Sequence, residues 1–359
     1  MEFKPGFEAL KPYYEAFWRG DMLDRVAVAV TAPRDPSVAP DNRWADPKNV
    51  FNEPVDRILD AFEEDCRRTF FGGLASPVFY PNFGPDAFSA FLGVPMHYSE
   101  DSKNTSWIDW KSPLLADFRN PSSLAIRDDN VFYRKSLEYY RKAVQRGKNR
   151  YITGITDLHG GFDSLCVLRG GPDVAVMDMV DDPDGVRKTM KRMEEVWLKI
   201  YNDYWAVVNG KQPGSDTWMH IYAPGKMYPV QNDLSCLVSA PMYREFFLEE
   251  LLTEIAYLDY SIYHLDGVEA LQHLDLLLDI PRLNAIQWVM GARNVAGGIK
   301  PWIPLYQKIQ AKKKAIVVYP KPEELDLVLE HLQPEGLLIQ MGCASEEEAK
   351  TVLARLGWK

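Results

Sequence analysis

Apolar and polar positions follow a changing rhythm along this chain. From about residue 150 onward, short apolar and β-branched runs alternate with long amphipathic segments, the pattern of repeated strand–helix units that build a parallel sheet. The runs predict strands at Arg150–Thr156, Thr217–Tyr222, Ser261–Leu265, Ala285–Met290, Ala315–Tyr319 and Leu337–Met341. Earlier runs at Val26–Val30 and Ser76–Tyr80 bring the candidates to eight.

Between the strands, Val186, Met190, Met193, Trp197, Ile200 and Tyr204 recur at three- and four-residue spacing, as a helix packed on a sheet requires. Tyr243–Leu258 repeats the pattern, with Ser239 as N-cap and Pro241 in the first turn. Ser345 and Glu348 form a capping-box pattern before Val352, Leu353 and Leu356. The N-terminal third differs: Pro, Asn and aromatics crowd Ala32–Pro54 and Tyr80–Asp117, which predicts long loops. Phe83, Phe88, Phe91, Trp107 and Trp110 are too many large apolar groups for disordered chain, so the loops fold over the body, either as plain packing or as a hydrophobic lid.

At 359 residues, two domains or one large α/β unit are both open. A net charge of −10 argues against nucleic-acid and anionic-lipid surfaces, and the basic run Lys312–Lys314 is too short for a polybasic arm. No apolar run reaches the ~18 residues that span a bilayer, and the start lacks a signal-peptide core, so the expected compartment is the cytoplasm. Cys66, Cys166, Cys236 and Cys343 are widely spaced and read as free thiols.

In a βα barrel the reacting groups come from the C-terminal ends of strands. Asp157, His159, His220, Tyr222, His264, Asp266, Gln287, Tyr319, Gln340 and Cys343 all fall at such ends. His264 and Asp266 are two apart on one predicted strand, so they point to one face and can share an ion. With the thiolate of Cys343 they would make a three-ligand zinc site with an open position. The competing reading makes Asp266 a helix cap, His264 a core residue and Cys343 a small buried hydrophobe. His220 and Tyr222 would share one strand face, while His97, His273 and His331 have no constellation around them.

The stretch from Gln231 to Phe246, then YHLDGVEALQHLDLLLDIPRLNAIQWVMG and QMGCASEEEAKTVLARL, resembles the uroporphyrinogen decarboxylase superfamily. So do GITDLHGGFDSLCVLRGGPDVAVMDMVDDPDGVRK and NFGPDAFSAFLG, and the likeness runs, with gaps, from about Asp24 onward. The resemblance implies a single (β/α)8 barrel over residues 1–359, with an N-terminal extension and long N-terminal loops. Its cobalamin-linked methyltransferases hold zinc through a His-x-Cys motif and a late Gly-Cys pair. His264 matches the histidine and Cys343, after Gly342, the late cysteine; Asp266 stands where the family has its middle cysteine. A carboxylate there is a harder ligand and leaves less charge for donation to a bound thiolate.

The decarboxylases carry a segment resembling Arg-Gln-Ala-Gly-Arg-Tyr that cradles a carboxylated tetrapyrrole. This chain lacks it, and in Asp24–Arg34 the only cation placed to substitute is Arg34. Asp157-Leu-His159-Gly-Gly resembles the start of a corrinoid-binding pattern, but Phe162 replaces its last glycine, so a corrinoid would come on a partner protein. Asp233 sits where the resembling proteins place a carboxylate after a strand. The expectation is therefore a zinc methyltransferase acting on a small thiol or methyl ether, with His264, Asp266 and Cys343 on the metal and Asp233, His159 and Asp157 near substrate. Glu269 is a weaker fourth ligand. The alternatives are a metal-independent decarboxylase or lyase centred on Asp233 or Asp157, and a non-catalytic barrel that binds a corrinoid or another tetrapyrrole.

Overall fold

Strongly apolar, β-branched runs do become strands in the computed structural model of the chain, which describes residues 1–98, 105–108, 110–111, 113–118, 120–291 and 298–358. In chain order they are β1 (Ala27–Pro33), β2 (Thr69–Gly73), β3 (Val78–Phe79), β4 (Met96–His97), β5 (Trp107–Ile108), β6 (Ile152–Thr153), β7 (Met227–Gln231), β8 (Tyr260–Asp266), β9 (Ala285–Val289), β10 (Ala315–Val318) and β11 (Leu337–Gly342). Seven form one sheet in the order β2-β1-β11-β10-β9-β8-β7, parallel throughout except for β1–β2. β3 pairs parallel with β6, and β4 antiparallel with β5. The fold is mixed α/β, and among the described residues no strand ladder joins β1 to β3 or β6 to β7.

Parallel strands covered on both sides should be buried throughout, and β7 and β10 are. The register chain Gln231↔His264↔Gln287↔Val317↔Leu338↔Ala27 places one residue from each of six strands side by side. Helix Pro183–Val208 buries Val186, Met190, Met193, Trp197, Ile200 and Tyr204, the face its periodicity predicts, and the Asp182 side chain caps it. Ser239 caps the next predicted helix through the Met242 N–H, but that helix breaks at Phe247 into Ala240–Phe246 and Leu248–Tyr257. Ser345 accepts from the Glu348 N–H and Glu348 accepts from Ala344, so the expected cap forms with its return bond one residue early.

The sequence misplaces one strand. Thr217–Tyr222 is a chain reversal: Ser215 and Ala223 pair antiparallel on either side of it, and His220 takes φ 54°. Thr217 keeps only an isolated bridge to Ile155. The strand lies further on, at β7, where Pro229 hides it because proline cannot donate to a ladder. β7 is the terminal strand of its sheet, so one side of Pro229 has no ladder to interrupt. β2, β4 and β5 were not anticipated.

The N-terminal loops do pack on the body: Phe83, Phe88 and Phe91 are fully buried. Trp110 is 40% exposed, and the side chain of Trp107 lies outside the described residues. The leading segment is tied to the body, with Lys4 Nζ on the carbonyls of Phe71 and Gly73 (2.6 and 2.8 Å) and Trp18 Nε1 on that of Tyr222 (2.9 Å). All four cysteines are free, and no helix among the described residues is long and apolar enough to cross a membrane.

Candidate functional site

Alternation along β8 aims His264 and Asp266 at the same face, and the neighbouring strands place Gln231 and Gln287 beside His264. His264 Nδ1 lies 2.5 Å from Gln287 Oε1, and Gln287 Nε2 donates to the hydroxyl of Tyr319. With its oxygen turned to the ring, Gln287 receives the Nδ1 proton, which leaves Nε2 as a lone-pair donor. That nitrogen lies 4.0 Å from Asp233 Oδ1, and the indole of Trp218 packs edge-on against the ring at 5.1 Å.

Asp233 follows β7 by two residues, so it joins this group from the adjacent strand. One ligand atom each from Asp233, His264 and Asp266 lie within 4.8 Å of one another. Asp233 Oδ1 and Asp266 Oδ1 are both buried and neither receives a hydrogen bond. Burial, reinforced by the charge of Asp233, raises the pKa of the Asp266 carboxyl, and His264 opposes that rise. Such a group is built to accept a cation, since donor-less buried carboxylate oxygens are costly otherwise.

Cys343 belongs to no such group among the described residues. It follows β11, two strands beyond the neighbour of β8, and its N–H is tied to the carbonyl of Thr31 in β1 (2.8 Å). Burial, with Glu348 nearby, pushes its thiol up to about 11. The set expected from sequence, His264, Asp266 and Cys343, is therefore drawn together only in part, and Asp233 takes the third place. Glu269 is exposed on the turn after β8, outside the group.

The segment after β6 supplies a second cluster. His159 Nε2 lies 3.4 Å from Asp157 Oδ2, and its Nδ1 lies 3.9 Å from Asp163 Oδ2. Asp157 accepts from Gln231 Nε2 (2.8 Å) and the Tyr228 hydroxyl (3.2 Å). Asp163 accepts from the backbone of Asp233 and Leu234 (2.8 and 2.7 Å), which fixes the loop after β7 to this cluster. Burial disfavours charge on His159, but Asp157, Asp233, Asp163 and Asp86 together push its pKa up to about 9. Burial raises Asp157 as well and, with Asp233, pushes Asp163 up to about 7.

Gly161 lets the chain turn between His159 and Asp163. Its φ is +56°, and a Cβ there would sit 3.1 Å from the side-chain nitrogen of Asn232. Sequence reasoning missed Asp163; the available signal was its position four residues after His159 in the first turn of a helix. It also missed Tyr228, hidden in the overlooked β7.

A cavity of about 480 Å³ lies at the other side of the strand ends, lined by Trp44, Phe62, Phe71, His220, Tyr319 and Gln340 among others, with no lysine or arginine among the described residues that line it. Trp44 comes from the first N-terminal loop. Tyr319 is 43% exposed, its surface turned to this space, while its hydroxyl holds the Gln287 that orients His264. Tyr222 is elsewhere, buried against Phe7 and Tyr14, so it does not share a face with His220. His273 is buried with Nε2 2.9 Å from the carbonyl of Ser235. No protein-family model matches the sequence, and no curated protein matches it.

Proposed function

We propose that the chain is a zinc-dependent methyltransferase on a closed (β/α)8 barrel, moving a methyl group between a small thiol or methyl ether and a corrinoid carried by a separate protein in the cytoplasm. The observation that carries the reading is the pair of buried, donor-less oxygens of Asp233 and Asp266 gathered around the oriented Nε2 of His264. The sequence resemblance supplies the reaction class. Barrel closure draws support from the cavity, whose wall takes Ala29 and Thr31 from β1, Gln340 from β11 and Val78 from the separate β3–β6 pair.

The residues present fit zinc: one imidazole nitrogen and two carboxylates are ordinary ligands, and three protein ligands leave a position for substrate. Bound there, the ion would supply a Lewis acid for a substrate thiol or ether oxygen. The protein's own part is orientation and exclusion of water. Gln287, fixed by Tyr319, sets the tautomer of His264, and the aromatic wall of the cavity gives a small apolar substrate a dry seat beside that network.

Two observations set the alternatives lower. Arg34 is paired with Glu346 at 3.0 Å, and no lysine or arginine among the described residues lines the cavity, so a carboxylated tetrapyrrole finds no counter-charge among them. The positive charge of His159 is already shared among Asp157, Asp233, Asp163 and Asp86, so a smaller carboxylated substrate of a metal-free lyase finds no free counter-charge in that cluster among the described residues.

The test is elemental analysis of protein purified without chelator, followed by mixing with a Co(I) corrinoid and a panel of thiols and methyl ethers. Metal that disappears in His264→Ala and Asp266→Ala variants with unchanged circular dichroism, together with spectroscopic methylation of the corrinoid, is the expected result. Metal-free wild-type protein after reconstitution, or metal indifferent to both substitutions, would sink the reading.

A further inference from the structure

Asp233 belongs to two groups of ligand atoms. Besides Asp233, His264 and Asp266, the atoms of His159, Asp163 and Asp233 also lie within 4.8 Å of one another. In both groups one ring nitrogen of the histidine faces an outer oxygen. His264 engages Gln287 through Nδ1 and keeps Nε2 for the group; His159 has Nε2 beside Asp157 and keeps Nδ1 toward Asp163. An outer acceptor on one ring nitrogen is the usual way a metal-binding histidine is oriented, and a carboxylate in that role also raises its basicity. Asp157 is in turn held by Gln231 and Tyr228.

An independent observation lies between the groups. Gln231 is only 8% exposed, it is the register partner of His264, and its Nε2 donates to Asp157. Its Oε1, buried in the same place, receives no hydrogen bond.

We infer that Asp233 bridges two cation sites, the second formed with His159 and Asp163 and oriented by Asp157 as a positioning residue. Its nitrogen and oxygen donors suit a divalent ion of the Zn²⁺ or Mn²⁺ kind. The inference rests on the metal site proposed above and adds a second ion to it. A shared carboxylate is how paired-metal sites hold two ions to act on one substrate, with charge stabilised at two atoms rather than one.

The experiment is titration of metal-stripped protein with Zn²⁺, counted by elemental analysis after desalting, with Mn²⁺ loading read by electron paramagnetic resonance. Two ions per wild-type chain, one in His159→Ala, one in His264→Ala, and an exchange-coupled Mn²⁺ signal that vanishes in all three of His159→Ala, His264→Ala and Asp233→Ala are expected. If His159→Ala fails to fold, Asp157→Asn replaces it and should weaken one of the two sites about 10–100-fold while sparing the other. A single ion that survives His159→Ala and is lost in His264→Ala would overturn the second site and leave the proposed function standing. No bound ion in the wild type would overturn both.

Discussion

One register row runs through six strands, and its two halves differ in kind. On β7, β8 and β9 it reads Gln231, His264, Gln287; on β10, β11 and β1 it reads Val317, Leu338, Ala27. The same backbone geometry thus presents hydrogen-bonding groups on one side and hydrocarbon on the other. Chemistry collects above the first half, in Asp233, Asp266 and the His159 cluster. Space collects beside the second, in the aromatic cavity. Tyr319 joins them, one face in the cavity and its hydroxyl on Gln287. Cys343 closes the apolar half, which explains why a thiol expected at the metal stands apart from it.

The contrast can be broken most severely by giving the apolar half a charge. Leu338→Asp places a carboxylate at a position with no exposure and no partner, so a loss of about 3–5 kcal/mol is expected, seen as a collapse in thermal stability or soluble yield. In the polar half, Gln287→Leu should leave the fold intact yet lower metal affinity about 10–100-fold, measured by competition with a chelator, because His264 loses the partner that fixes its tautomer.

A pH effect should distinguish the halves more gently. Glu250, which accepts from the Gly161 N–H at 2.9 Å, is pushed up to about 8, first by burial and then by Glu194 and Asp163. The folded chain keeps a proton there that the unfolded chain has already released, so stability is full below the ordinary glutamate range and falls as pH rises toward about 8. Melting temperature should therefore decline between about pH 5 and about pH 8, and Glu250→Gln should flatten that decline. The smallest effect is expected at Cys343→Ala: a cost of roughly 1 kcal/mol or less, with full metal content retained.

Much of this arrangement is legible in the sequence because the apolar runs are short, β-branched and evenly spaced. β8 through β11 lie within a residue of their expected bounds, and His264 and Asp266 share a face as their spacing requires. What escaped was non-local or locally contradictory. Pro229 disguised β7, and with it Tyr228. The alternation of Thr217–Tyr222 imitates a strand, but paired Ser215 and Ala223 turn it into a reversal. Asp233 was singled out, though its place beside His264 depends on β7 adjoining β8, which no local pattern reveals. Asp163 reads in isolation as an ordinary first-turn acid and gains meaning only when it grips the backbone of Asp233.

The pairing of Ala27 with Leu338 also has a bearing on how the chain is made. At a synthesis rate of ~5–20 residues per second, β1 waits roughly 15–60 s for its parallel neighbour to be translated. In the interval β2 can shield one of its edges, since that antiparallel partner follows after only the helices Pro47–Asn52 and Val55–Arg68, but the other stays open to any passing strand. A ribosome that stalls before Leu337 leaves one edge of β1 and one edge of β10 without a partner, so nascent chains arrested there are the ones a cell's chaperones would have to hold.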